Sequence, residues 1–152
     1  MDHEIGEREI GPVLALTHRA PVTMETIADG IGDAFRVLVE HAATHGVRWA
    51  GPPFVLYPEE CEGEFEIAVC MPVAEGAVGG EAAAVEDIAG GLCVSTVHVG
   101  PYTGIGEAYA ALQRWMDAHG RRPAGPVREV YLNDPDAVPP EELLTEIDWP
   151  VA

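Results

Sequence analysis

One glutamate set between apolar residues is the position in this chain best suited to chemistry. Side chains alternate between the two faces of a strand, so in the segment Val127–Leu132 residues 127, 129 and 131 share one face. Glu129 then lies beside Tyr131, and a carboxylate flanked by aromatic rings attracts a lipophilic cation through its charge and the ring quadrupole. The competing interpretation is a solvated strand glutamate paired with an arginine, because glutamates are mostly exposed in proteins.

Other aromatic residues could complete a binding groove around Glu129. Trp115 falls on the shoulder of an apolar helical stripe, where its ring either walls the groove or widens the core face of the helix. Phe35 and Tyr109 occupy equivalent helix positions and are predicted to pack in the core, although the Tyr109 hydroxyl needs a partner. The predicted ligand-binding residues are Glu129, Tyr131, Trp115, Tyr57, Phe54, Val55 and Tyr102.

The sequence lacks the motifs of several enzyme classes. It has no phosphate-binding loop, dinucleotide fingerprint, nucleophile elbow or HExxH pair. Ser95 is the only serine, and the three cysteines do not have the spacing of a zinc site. We therefore expect neither a metal nor a cofactor. If the chain is an enzyme, Glu129 is the candidate general acid or base and Tyr131 is its helper.

The charge balance disfavours further classes of partner. The 152 residues include 26 acidic side chains against 8 basic ones, all of them arginine, for a net charge of −18. Such a field repels phosphate backbones and anionic lipid, so direct binding of nucleic acid or of a membrane is not expected, whereas a protein partner stays open. The acidic start of the sequence does not resemble a signal peptide, and no apolar run is long enough to span a membrane. We expect a cytoplasmic protein.

Comparison of the sequence with itself reveals an internal repeat. At an offset of 74 residues, His45-Gly46 aligns with His119-Gly120, Gly51-Pro52 with Gly125-Pro126, and Tyr57 with Tyr131. The repeats cover about residues 5–75 and 84–152, with a linker at 74–91. This pattern predicts one domain, residues 1–152, built by tandem duplication.

Each repeat has the pattern strand-helix-strand-strand. Strands are predicted at 13–19, 54–57 and 64–72 in the first repeat and at 92–99, 127–132 and 143–148 in the second, with a further edge strand around 83–87. Apolar residues recur at helical spacing from Ile27 to Ala42 and from Ile105 to Met116, and Gly46 and Gly120 supply left-handed helix ends. The predicted fold class is α+β, with one antiparallel sheet, two long helices on one face, and a groove at the pseudo-twofold seam.

Several segments together resemble one known family. They are Thr17–Pro21, Gly51–Pro53, His98–Tyr102, the helix from Ala108 to Trp115, Arg128–Pro135 and Thr145–Val151. These segments resemble the GyrI-like small-molecule-binding family, which includes the effector-binding domains of AraC-type and MerR-type multidrug transcription regulators. The resemblance extends over nearly the whole chain.

The resemblance implies two strand-helix-strand-strand (SHS2) modules around a groove that binds bulky, lipophilic and often cationic aromatic compounds. Glu129 matches the family's glutamate in its ExYL motif, Tyr131 follows it there, and Trp115 matches the helix tryptophan. The regulators carry a basic helix-turn-helix domain before this module. Nothing precedes it in this sequence, so a standalone bacterial module is expected.

Three functions follow as alternatives. The first is a standalone binder that sequesters or senses hydrophobic, cationic drug-like molecules. The second is a hydrolase of cyclopropane-type electrophilic natural products that uses the same groove, as in some standalone relatives. The third is an acidic inhibitor of a protein target, as the gyrase-inhibitor relatives suggest.

Overall fold

The computed structural model describes residues 3–152. Within these residues the chain forms eight strands and two α-helices, with short 3-10 turns at Tyr102–Gly104 and Pro140–Glu142. The elements are β1 (Gly6–Ile10), β2 (Val13–Val22), α1 (Ile27–His45), β3 (Phe54–Tyr57), β4 (Phe65–Pro72), β5 (Ala84–Ile88), β6 (Gly91–Val99), α2 (Ile105–His119), β7 (Val127–Tyr131) and β8 (Leu144–Pro150).

The strands form one curled antiparallel sheet in the order β1-β6-β8-β7-β3-β4-β2-β5. The element order β2-α1-β3-β4 recurs as β6-α2-β7-β8, and the two halves meet where β3 pairs with β7. In that pair Val55 lies opposite Glu129, and Tyr57 lies opposite Val127. The predicted α+β fold with one antiparallel sheet is confirmed.

The two edge strands are exchanged between the halves. Strand β1 precedes the first half in the chain but pairs with β6 of the second half, and β5 precedes the second half but pairs with β2 of the first. The edge strand around 83–87 is confirmed as β5, whereas β1 was not predicted from the sequence. Its segment, Gly6–Ile10, holds three charged residues among five and lies at an exposed edge, so its apolar pattern is weak.

Both helices lie on the same face of the sheet, which we call the helix face. Helix α1 packs on β2 and β4, and α2 packs on β6, so each helix covers the strands of its own half. Each helix ends at a glycine with positive φ, Gly46 at 65° and Gly120 at 67°, a conformation that glycine adopts without steric cost. No helix among residues 3–152 has the length and apolar character needed to cross a membrane.

Apolar residues are buried on both faces of the sheet. On the helix face each half has its own core, centred on Leu16, Leu38 and Ile67 in one half and on Val94, Leu112 and Ile147 in the other. The opposite face, called the second face below, buries a smaller cluster of Ala15, Phe54, Ala68, Cys70, Ile88 and Val130.

The sheet curls because two short connectors cross on the second face. Gly11-Pro12 joins β1 to β2, and Ala89-Gly90 joins β5 to β6, so each connector links strands from opposite ends of the sheet. A Cβ atom at Gly90 would run into the carbonyl oxygen of Ile10, which shows how closely the two connectors approach. The edges of the sheet are therefore drawn together on this face.

Candidate ligand-binding site

The central pair of strands brings a carboxylate and three tyrosines together on the helix face. Strand alternation places Tyr57 of β3 and Glu129 and Tyr131 of β7 on this face, beneath α2, which contributes Tyr109. Glu129 is only 9% exposed. We call these four residues the glutamate-tyrosine cluster.

Hydroxyl groups surround the buried carboxylate. The Tyr109 hydroxyl donates a short hydrogen bond to Oε2 of Glu129, and the Tyr131 hydroxyl donates to Oε1 at 3.1 Å. The Tyr57 hydroxyl lies 3.1 Å from that of Tyr131, which extends the network to the first half of the chain. Both carboxylate oxygens thus have hydroxyl donors, which partly replace the water that burial removes.

The carboxylate has no ion-pair partner within residues 3–152. The ion pairs there involve other acidic groups: Glu7, Asp33, Glu66, Glu86 and Glu146. Burial raises the pKa of Glu129 above its usual range, while hydrogen bonds from the tyrosines and the nearby His98 act in the opposite direction. The arginine-paired surface glutamate that the sequence left open is not what the structure shows.

The tyrosines stay protonated next to this carboxylate. Burial raises the pKa of Tyr57, Tyr109 and Tyr131, and the charge of Glu129 raises each of them further. Their hydroxyl groups are therefore hydrogen-bond donors throughout the neutral range. The cluster can hold a negative charge in an aromatic, nearly dry setting, and it can offer a carboxyl group and a phenol for proton transfer.

The structure brings some of the predicted site residues together and leaves others apart. Val55 lies against Glu129 in the strand register, and Tyr102 packs edge-on against Tyr131 with ring centroids 5.9 Å apart. Trp115 stacks on His119 at 3.8 Å, near the end of α2. Phe54 lies on the second face, where its ring faces Arg128, because strand alternation turns it away from Val55 and Tyr57.

Sequence reasoning missed three residues near the cluster. Tyr109 was assigned to the core, yet its hydroxyl makes a direct contact with Glu129; the unsatisfied hydroxyl was the available signal. Cys61 is partly buried near Glu129, whose charge adds to burial in raising the pKa of that thiol. His98 is 6% exposed, lies near Glu129, and is stacked by His3.

The possible metal ligands among the described residues do not gather into one cluster. No three His, Cys, Asp or Glu side chains between residues 3 and 152 are placed to hold a metal ion together. All three cysteines, Cys61, Cys70 and Cys93, are free thiols.

Comparison with known proteins identifies the family. The sequence model of the GyrI-like small molecule binding domain matches residues 1–152. The chain belongs to this family. The GyrI-like domain is thus a small-molecule binding domain, and the match extends over both repeats. Among curated protein sequences, none matches it.

Solved structures share the fold of this GyrI-like domain at low sequence identity. The C-terminal domain of EcmrR is 22% identical with a TM-score of 0.87, over 100% of this chain and 99% of that one. SAV2435 bound to tetraphenylphosphonium is 12% identical with a TM-score of 0.64, over 100% and 94% of the two chains. A hydrolase from Listeria innocua is 15% identical with a TM-score of 0.67, over 98% and 92%.

Proposed function

We propose that this GyrI-like domain binds bulky, hydrophobic cations between its two helices, with Glu129 as the electrostatic anchor. The observation that carries the proposal is a buried carboxylate, ringed by tyrosines, with no ion-pair partner among residues 3–152. A buried charge without a counter-charge is unfavourable by several kcal/mol. A lipophilic cation would supply that counter-charge and also cover apolar surface.

The tyrosines would select the type of cation. Their ring faces attract positive charge and stack on aromatic groups, whereas a small hydrated cation gains little from apolar walls. The ligand-bound relative supports this choice, because tetraphenylphosphonium combines one delocalised positive charge with four phenyl rings. Broad specificity and micromolar affinity follow from an apolar groove with a single charge pair.

Entry of a ligand would require tyrosine side chains to move. Glu129 is 9% exposed and carries a hydroxyl donor on each oxygen, so a cation reaches it only after Tyr109 or Tyr131 turns aside. Tyr102, which is 41% exposed and packs against Tyr131, stands at the outer side of this cluster. Under this proposal, ligand binding selects a form in which one of these tyrosines has turned aside.

A fluorescence titration with a rhodamine-type cationic dye and a matched neutral dye tests the proposal. Glu129→Gln should lower the affinity for the cationic dye at least tenfold and leave the affinity for the neutral dye nearly unchanged. Glu40→Gln is the matched control, because Glu40 is exposed on α1 and its substitution changes the net charge equally. An equal loss for both dyes, or the same loss in the control, would contradict the charge-pair account.

A hydrolase that uses the same cluster is the second candidate. The raised pKa of Glu129 and the adjacent protonated phenols suit general acid-base catalysis on a strained electrophile. A structural relative is itself described as a hydrolase. Mass spectrometry of a cyclopropane-containing electrophile incubated with the protein should show a product one water heavier. Enzyme-dependent product that Glu129→Gln abolishes would favour this candidate, and unchanged substrate would exclude it for that compound.

A further inference from the structure

The second face of the sheet carries a polar cluster that the first half of the chain does not reproduce. At the offset of 74 residues, Arg128 corresponds to Phe54. At the offset that aligns Pro72 with Pro150, Asp148 corresponds to Cys70. At these two positions the first half is apolar, because Phe54 and Cys70 lie in the buried cluster of this face. The second half places a cation and a carboxylate in the corresponding positions.

Arg128 is buried with most of its hydrogen-bonding capacity unused. It is 8% exposed, and its guanidinium lies over the Phe54 ring, 4.7 Å from the centroid. One nitrogen donates to the Ala89 carbonyl at a long 3.4 Å. A guanidinium has five N–H donors in a planar fork, so a buried arginine with one weak bond has free donors. Among residues 3–152 it has no carboxylate within ion-pair distance.

Asp148 lies opposite Arg128 in the strand register and also has unused hydrogen-bonding capacity. It is 1% exposed; its Oδ1 accepts from the Ser95 hydroxyl at 2.7 Å, and its Oδ2 has no hydrogen-bond partner. Burial, together with the neighbouring Glu146 carboxylate, raises the pKa of Asp148 to about 7. Below neutral pH this group is therefore neutral, and its proton is shared with the Glu146 carboxylate.

Both groups line a cavity of about 290 Å³ beneath the crossed connectors. The volume lies just below the usual range for small-molecule sites and suits a small ligand. Apolar side chains form much of the remaining wall, among them Ile10, Leu56, Ile88 and Pro126. Arg19 and Glu86 also line it, but they are paired with each other. The cavity lies on the face opposite the glutamate-tyrosine cluster.

We infer that this cavity is a second ligand site, for a small organic carboxylate with an apolar body. The carboxylate would accept two parallel N–H bonds from the Arg128 guanidinium, the geometry in which this pair is strongest. Protonation of Asp148, whose proton is shared with Glu146, would remove a repelling negative charge from the cavity wall, and the apolar walls would cover the body of the ligand. A cationic ligand is disfavoured here, because Arg128 would repel it.

Benzoate is a suitable first probe, with benzamide as its neutral isostere. Two-dimensional amide NMR of the full chain at pH 6 should show saturable benzoate shifts around Arg128, Asp148 and Ala89–Gly91. Residues of the glutamate-tyrosine cluster on α2 should not shift. Benzamide should bind at least tenfold more weakly. Benzoate shifts that are absent, or equal to those with benzamide, would overturn the inference.

Three variants separate the proposed site from a structural role. Arg128→Gln should lower the affinity for benzoate at least tenfold. Leu56→Phe should prevent benzoate binding, because the larger ring fills the cavity without a change in charge. Asp148→Asn should retain binding at pH 6 and, unlike wild type, keep it at pH 8. The other groups that face Asp148 are the Ser95 hydroxyl, which donates to it, and the charged side chains of Glu146, Arg8 and Arg128. Because this variant leaves all of them in place, a change in the pH dependence of binding reports on Asp148.

The dispersion of the amide resonances of each variant shows whether it is folded. A folded variant that no longer binds benzoate supports the second site. Benzoate binding that survives both Arg128→Gln and Leu56→Phe contradicts it.

Discussion

At the scale of single residues, the site depends on how a buried carboxylate is stabilised. Glu129 has exchanged water for phenol hydroxyls, and each hydroxyl is fixed by packing in a different element: Tyr109 in α2, Tyr131 in β7 and Tyr57 in β3. Hydrogen bonds to a charged group contribute more than bonds between neutral groups. The cluster is therefore a hydrogen-bonded network that stabilises a buried carboxylate, and the proposed function assigns this carboxylate to the binding of a cation.

Removal of the Tyr109 hydroxyl tests this network. Tyr109→Phe keeps the ring and its edge-on contact with Trp149 but leaves Oε2 of Glu129 without its donor. We expect the free energy of unfolding to fall by about 1.5–3 kcal/mol at neutral pH, measured by urea denaturation. Tyr102→Phe is the control, with an expected change within about 0.5 kcal/mol because Tyr102 is partly exposed. Equal effects of the two substitutions would show that the hydroxyl network is not stabilising.

Part of this site could be predicted from the sequence, and part could not. The alternation in β7 placed Glu129 and Tyr131 together, because a strand period of two depends only on the local chain. The same rule excludes Phe54 from that face once Val55 is assigned to it. Tyr109 joins the cluster through helix packing between residues 20 positions apart, which no local pattern encodes. The sequence likewise could not show that Arg128 is buried with no carboxylate of residues 3–152 at ion-pair distance, because this depends on the tertiary arrangement.

At the scale of elements, strand β8 carries two acidic residues on the second face. Glu146 and Asp148 are two positions apart; Glu146 pairs with Arg8 of β1 at 2.9 Å, while Asp148 is buried beside Ser95. The pKa of Asp148 is about 7 in the folded chain, against about 3.9 when unfolded. Between these values the folded state holds a proton that the unfolded state has lost, so stability falls as the pH rises.

Asp148→Asn should remove most of this pH dependence. We expect wild type to lose stability as the pH rises from about 4 to about 7, and the variant to lose much less across the same interval. Urea denaturation at half-unit steps of pH measures the two curves. Parallel curves for the two proteins would show that Asp148 is already ionised in the folded chain at low pH.

The crossed connectors provide a second prediction at the scale of elements. A methyl group at Gly90 would meet the backbone of Ile10 and Gly11, which cannot give way without displacement of the partner connector. Gly90→Ala should lower the free energy of unfolding by about 1–3 kcal/mol. Gly11→Ala is the matched control, since a Cβ atom there meets nothing within 4 Å. A larger loss from Gly11→Ala than from Gly90→Ala would contradict the observed crossing.

At the scale of the whole molecule, the exchange of edge strands makes the two halves interdependent. The sequence repeat predicted the order of elements in each half, because strand and helix patterns are local. It could not predict that β1 pairs with β6 and β5 with β2, since edge pairing is decided by the tertiary arrangement. A unit of about 75 residues also buries a smaller fraction of its surface than the whole chain does.

Separate halves should therefore not fold. Fragments 1–79 and 80–152 each carry an edge strand whose partner lies in the other fragment. We expect neither fragment to show a cooperative thermal transition by circular dichroism, and the co-expressed pair to show one. A cooperative transition in either fragment alone would show that the exchange is not required for stability.

The net charge of −18 also acts at the scale of the whole molecule. It attracts every cation, so weak binding of a cation does not by itself reveal a site. Specific binding must depend on Glu129 and persist when added salt screens the general field, because buried pairs are screened much less than exposed ones.

The most direct test of the central claim is calorimetry with two ions of matched size and shape, tetraphenylphosphonium and tetraphenylborate, in moderate salt. We predict saturable binding of the cation to wild type and to Glu40→Gln, and an affinity at least tenfold lower in Glu129→Gln. The anion should bind wild type more weakly than the cation does, and Glu129→Gln should not reduce its affinity further. Equal affinity of wild type for both ions, or cation binding that Glu129→Gln leaves unchanged, would contradict a site anchored by this carboxylate.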